Sequence, residues 1–295
     1  MENKKSHEIL IYIFLTYLVT WTLCGLGYFL YTVDNNYNLF GIIVSISGFV
    51  PSIMGIILTA YFYKDVGITD LFKRINIYKS HGIYCIIGMI IVAVYVVSTF
   101  FLTQSMGFNE TFKVNFFNIL SWFIMVFTIG GGIGEEFGWR GFLLDKVLKR
   151  QNIAFSGIFV GIVWSLWHLP LFFIPGSSQY GCPIAIHIMN AIIISMIITF
   201  VFKKTKGCIT FSIMLHATSN ALFTSLASSY SSTSKYYQFL NENQIKLVII
   251  MIAIIVFIGV VETLLFNRHK DKLNIHTASE KITRSFFYNI YYNIH

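Results

Sequence analysis

Charge is scarce in this 295-residue chain: Asp, Glu, Lys and Arg make up 12% of it, about half the share of a soluble globular domain. With 56% apolar residues, that scarcity excludes an ordinary soluble fold. Cysteine is also sparse. Cys24, Cys85, Cys182 and Cys208 stand isolated, with no CxxC or other metal spacing, which excludes a zinc-ribbon or disulfide framework. HExxH, the helix-borne signature of zinc proteases, is absent. No A-x-A pattern follows the first apolar run, and that run is longer than a signal-peptide core, so it reads as a retained span. There is no internal repeat, no low-complexity linker and no polar stretch long enough for a second domain.

What is present is a series of apolar segments, each near the roughly 20 residues that cross a bilayer as helix. They lie at 8–31, 39–63, 82–103, 116–145, 155–174, 184–202, 208–228 and 245–266. The spacing predicts an all-α, polytopic membrane bundle of about eight helices. Of the 21 basic residues, all but Lys113, Lys235 and Lys246 fall in alternate gaps. By the positive-inside rule both termini are expected in the cytoplasm. The net charge of +8 thus reports topology, since the basic residues form no stripe that would suit nucleic acid. Residues 1–266 read as one membrane domain, and 267–295 as a basic, aromatic-rich cytoplasmic tail that could lie on the membrane surface.

Ionisable groups at membrane depth are costly and need a partner or a task. They are few: Glu135, Glu136 and Arg140 in "EEFGWR", His168 in "WSLWHLPLFF", His187, His216 with Asn220 in "SIMLHATSN", and Glu262. Helical spacing pairs Glu136 with Arg140, while Glu135, rotated by about 100°, has no cation on its own face. An unpaired carboxylate in a dry setting suits general acid–base work. The glycines Gly130, Gly131, Gly132 and Gly134 do not make a phosphate loop, because no strand precedes them and two carboxylates follow. They allow close approach of another helix or a substrate backbone. His168 stands two residues before Pro170, which bends or opens the helix. His216 and Asn220 share one face. Counting about 1.5 Å per residue from the basic edge puts Glu135 and His216 at similar depth, and His168 deeper. His187 and Asn190, three apart and near the outer edge, read as packing groups; Glu262 is close enough to its end to reach the headgroups.

Three motifs then line up. EExxxR (Glu135, Glu136, Arg140), an aromatic residue followed by xxxH (Trp164, His168) and HxxxN (His216, Asn220) resemble the CAAX protease and bacteriocin-processing family, also called CPBP or Abi, which includes the type II CAAX prenyl endopeptidases. Trp stands where many members have Phe, and the resemblance covers about 115–228. It implies an intramembrane endopeptidase in which Glu135 and His168 activate water and His216 and Asn220 steady the oxyanion, with Glu136 and Arg140 as structural support. The substrate expected is a peptide or lipidated protein reached among membrane lipids, without nucleic acid, in a multi-pass protein of a bacterial cell membrane. No cofactor is expected. Zinc on Glu135, His168 and His216 is the alternative. The family also admits a non-catalytic role in bacteriocin self-immunity or in regulating membrane partners, and intramembrane Glu and His can form a transporter's proton relay. A scaffold needs none of the four candidate groups, and no inverted repeat marks a transporter.

Overall fold

A computed structural model describes residues 2–34, 37–175 and 177–266; the expected tail, 267–295, lies outside the described residues. No strand occurs among them. In chain order the helices are α1 (Glu2–Asp34), α2 (Tyr37–Ser47), α3 (Val50–Lys73), α4 (Gly82–Ser105), α5 (Phe116–Thr128), α6 (Gly131–Glu136), α7 (Asp145–Leu148), α8 (Ile153–Trp167), α9 (Ile184–Lys204), α10 (Ile209–Ala227), α11 (Thr233–Glu242) and α12 (Gln244–Phe266). Every apolar segment read from the sequence is largely helical.

Six helical stretches are long and apolar enough to cross a membrane. Of the two remaining segments, α8 has only 15 residues and ends at Trp167, and α10 is interrupted along its length by Ser, Thr, His and Asn. These two helices carry His168 and His216. These candidate site residues thus sit on the elements least suited to lipid, of which α10 is the more enclosed, while α8 still exposes Phe155, Ile162 and Leu166. Large side chains of α1, α3, α4, α5 and α12 that face outward are exposed, among them Phe14, Ile57, Ile90, Phe117 and Phe257, as lipid-facing helices require.

Three expected boundaries are corrected. The segment 116–145 is not one helix: Ile129 leaves helical geometry after α5, the chain restarts as α6, and from Phe137 to Leu144 it widens into a π-helix that runs into α7. Segment 155–174 stops being α-helix at Trp167 and continues as a single 3₁₀ turn, Leu169–Phe172, because Pro170 has no N–H to give the ladder. Segment 39–63 divides at Gly48 and Phe49 between α2 and α3, and α3 kinks at Lys64, where φ is 55°.

Small residues let backbones touch where the sequence reading expected it. A Cβ on Gly138 would stand 2.1 Å from the Pro51 carbonyl oxygen, and one on Gly55 would stand 2.8 Å from the Gly138 Cα. The π-helix and α3 therefore meet backbone to backbone. Ser52 seals the joint by donating to the Ile133 carbonyl at 2.8 Å. Behind this contact α10 packs on α4, α5 and α6, and α8 lies along α9, so the glutamates and both motif histidines converge in the middle of the bundle.

Candidate active site

Glu136 and Arg140 are fully buried, and Glu135 is 5% exposed. Arg140 Nη1 donates to Glu136 Oε1 at 2.7 Å, the i,i+4 pair expected from spacing. His216 Nδ1 meets the same oxygen at 2.8 Å. A carboxylate oxygen accepts, so Nδ1 carries the hydrogen and Nε2 is left on the opposite edge of the ring. The Arg140 guanidinium also lies over the Trp164 ring, 5.0 Å from its centre, a favourable cation–π placement. Glu136 thus holds α10 to the π-helix through His216 as well as neutralising Arg140.

Glu135 turns the other way. Trp164 Nε1 donates to its Oε2 at 2.6 Å and Trp139 Nε1 at 3.2 Å. The expectation that Glu135 has no partner is therefore corrected: it lacks a cation on its own face, but two indoles hold one of its oxygens. The other oxygen faces His216. A Cβ added to Gly131 would stand 2.5 Å from Glu135 Oε1 and 2.8 Å from His216 Nε2. The bare glycine therefore leaves a space one carbon wide between a carboxylate oxygen and a ring nitrogen. His216 Nε2 is buried and has no hydrogen-bond partner among the described residues.

His168 caps α8, with Nδ1 3.0 Å from the Trp164 carbonyl; the carbonyl accepts, so here too Nδ1 is the donor. The ring lines a cavity of about 480 Å³ together with Trp164, Tyr95, His187, Asn190 and Asn220. Trp164 links the two groups of residues, its ring centre 5.0 Å from His216 and 6.0 Å from His168. The structure thus joins Glu136, Arg140 and His216 by hydrogen bonds, sets Glu135 beside them on its two indole donors, and puts His168 and Asn220 on the adjoining cavity wall. Asn220 itself is 3.4 Å from the Ser219 hydroxyl, through Oδ1, which leaves its amide N–H₂ as the donor group.

Of the outlying residues, His187 and Asn190 are packed as expected, and the reading of Glu262 is corrected. His187 and Asn190 share the cavity with His168: the two imidazoles are 5.1 Å apart, edge to face, and Asn190 Oδ1 accepts from the Tyr95 hydroxyl. Glu262 does not extend to the headgroups, being 2% exposed with both carboxyl oxygens buried.

Residues 117–222 match the family model described as Type II CAAX prenyl endopeptidase Rce1-like, a span that holds every residue from Gly131 to Asn220. A relative, CAAX prenyl protease 2 of Methanococcus maripaludis, is 28% identical over 239 residues, covering 73% of this chain and 84% of its own. The resemblance to the type II CAAX prenyl endopeptidases is borne out.

The span common to those endopeptidases, 117–222, nearly coincides with the 115–228 on which the three motifs fall. It runs from α5 through most of α10, and the fit to the relative extends the likeness beyond it. Among the described residues no group of three or more His, Cys, Asp or Glu is placed to hold a metal ion. Glu135, His168 and His216 do not converge as a ligand set, and one Glu135 oxygen is already taken by two N–H donors. Trp139, Trp164 and Gly131 were missed as site residues by sequence reasoning. Trp139 carried a signal, standing four residues after Glu135 as Arg140 does after Glu136. Trp164 carried none beyond its motif, since its indole reaches Glu135 only through the packing of α8 on the π-helix.

Proposed function

We propose that the chain is an intramembrane endopeptidase that hydrolyses a peptide bond in a membrane-associated peptide or a prenylated protein tail. The observation that carries this reading is the facing of Glu135 Oε1 and His216 Nε2 across Gly131, with Glu135 fixed from behind by two indoles. In this reading a water oxygen attacks the scissile carbonyl carbon and gives a proton to Glu135 Oε1. The oxyanion formed accepts from the Asn220 amide and is steadied by the His216 ring beside it. Collapse breaks the C–N bond, and Glu135 returns its proton to the leaving nitrogen. His168, on the cavity wall, shares or relays that proton. A positioned general base contributes about 10²–10⁴ in rate, and each oxyanion donor about 10²–10³.

The reaction is proposed to run on the chain's own groups. Zinc on Glu135, His168 and His216 is the competing arrangement, and the occupation of Glu135 Oε2 by Trp139 and Trp164 favours the first. The printed name of the Methanococcus relative favours a prenylated CAAX tail as substrate, and the mainly apolar wall of the cavity suits a lipid-bearing one. The basic gaps support an orientation with both termini in the cytoplasm, and residues 1–266 are taken as one domain.

Purified full-length protein should cleave a quenched-fluorescent peptide ending in a prenylated CAAX sequence, and Glu135→Ala should abolish cleavage while the protein stays folded. Full activity in Glu135→Ala would overturn the mechanism. Loss of activity in EDTA with recovery in zinc would replace it by the metal-dependent one.

A further inference from the structure

A second cavity, of about 440 Å³, lies well away from the glutamates, where α3 and α9 end and α4 and α10 begin. Its lining is cationic and carries donors: Lys73, Lys206, Ser80 and His81, together with Arg74. Arg74 is neutralised, binding Asp70 through Nε and Nη2 and Asp145 through Nη1. Lys73 and Lys206 form no ion pair among the described residues, so the cavity keeps a charge of about two. His81 adds a buried Nδ1 that has no hydrogen-bond partner among the described residues.

The surroundings are apolar as well as cationic. In the loop that forms one wall, Ile75, Ile77 and Tyr78 are 39%, 56% and 60% exposed. This loop joins two helices long and apolar enough to cross a membrane, so these side chains stand at the level where headgroups meet acyl chains, a preferred position for Tyr. A ligand that satisfies the whole arrangement has a net negative headgroup attached to hydrocarbon. A free anion would satisfy only the floor.

We propose that this cavity binds the phosphodiester headgroup of an anionic phospholipid, with Lys73 and Lys206 on the phosphate and the Ile75–Tyr78 loop against the acyl chains. The loop is stitched to α10: Arg74 O accepts from Ile209 N at 2.9 Å, and Ile75 O accepts from the Thr210 hydroxyl at 2.7 Å. Lipid in the cavity therefore braces the start of the helix that carries His216 and Asn220. The assignment stands apart from the proposed peptidase chemistry.

The test titrates full-length protein in neutral detergent with short-chain phosphatidylglycerol, short-chain phosphatidylcholine and inorganic phosphate, followed by native mass spectrometry and the thermal midpoint. Phosphatidylglycerol should bind at least about tenfold more tightly than phosphatidylcholine and raise the midpoint. A lysine near an anionic lipid surface contributes about 1 kcal/mol, or about fivefold. Lys73→Gln and Lys206→Asn should each weaken binding about fivefold, and the pair about thirtyfold; Asn is chosen because Lys206 has φ 55°, which Asn tolerates. The charge-matched pair Lys113→Gln and Lys235→Gln, at the opposite ends of the helices, should bind within about twofold of the parent. Equal binding of the two lipids would overturn the proposal, as would equal loss in the two double variants. Displacement of phosphatidylglycerol by inorganic phosphate at the same concentration would reassign the cavity to a soluble anion and likewise overturn it.

Discussion

Trp164 reaches across 29 residues of sequence to donate its indole N–H to Glu135 at 2.6 Å, and the same ring lies 5.0 Å from the centre of His216. One side chain from α8 therefore fixes the carboxylate of α6 and packs against the imidazole of α10. A phenylalanine at this position would keep an aromatic ring and lose the bond.

Trp164→Phe isolates that bond. A hydrogen bond to a charged group contributes about 1.5–3 kcal/mol, so turnover should fall by about ten- to a hundredfold. Trp139→Phe, which removes the longer 3.2 Å contact, should cost less. Steady-state kinetics on a peptide substrate would show the order, with kcat carrying most of the change in both variants. Equal and small effects would mean that the indoles do not position Glu135.

The two adjacent glutamates should separate by what their loss does. Glu136→Ala leaves Arg140 buried without its carboxylate and His216 without its Nδ1 acceptor; breaking a buried pair in this way costs about 3–5 kcal/mol. Glu135→Ala removes a group held only by indole donors, and should lower activity far more than stability. Thermal unfolding in detergent beside a cleavage assay gives both readouts. Glu136→Ala should lose both, and Glu135→Ala mainly activity.

Gly131→Ala tests the space itself. Crowding by alanine's one methyl group costs about 1–3 kcal/mol, which should leave the protein folded. Its Cβ would nevertheless stand within 3 Å of Glu135 Oε1 and His216 Nε2, displacing anything that bridges them. Activity should fall by at least about a hundredfold, the share of a general base, with the thermal midpoint lowered by no more than a crowding cost of about 1–3 kcal/mol accounts for. Retained activity would remove Gly131 from the site.

The part of this arrangement legible in sequence follows helix periodicity and charge. Spacing of four pairs Glu136 with Arg140, counting from the basic edge levels Glu135 with His216, and Pro170 explains why α8 ends beside His168. What escaped the sequence depends on packing between elements distant in the chain. The Trp164 indole finds Glu135 only because α8 crosses the π-helix, and His216 finds Glu136 only because α10 packs on α6. The π-helix has no counterpart in a pattern read at 3.6 residues per turn. The contact of His168 with His187 escaped as well, because it depends on the 3₁₀ turn after α8.

At the end of α10 remote from the basic cavity, Glu110 accepts from the Ser231 backbone N–H at 2.7 Å and from its hydroxyl at 2.5 Å. The hydroxyl, the larger influence, and the N–H hold the Glu110 carboxyl below its ordinary range. A carboxyl depressed on folding stabilises the fold at pH values above its unfolded pKa, about 4.3, and that contribution is lost as pH falls through the lower folded value. Ser231→Ala should therefore lower the thermal midpoint at about pH 7, and the gap from the parent should narrow as the pH falls below the unfolded value of about 4.3 and through the lower folded one, where Glu110 takes up its proton. A gap that stays constant from pH 7 to pH 3 would show that Ser231 acts through packing of the turn and not through the carboxylate.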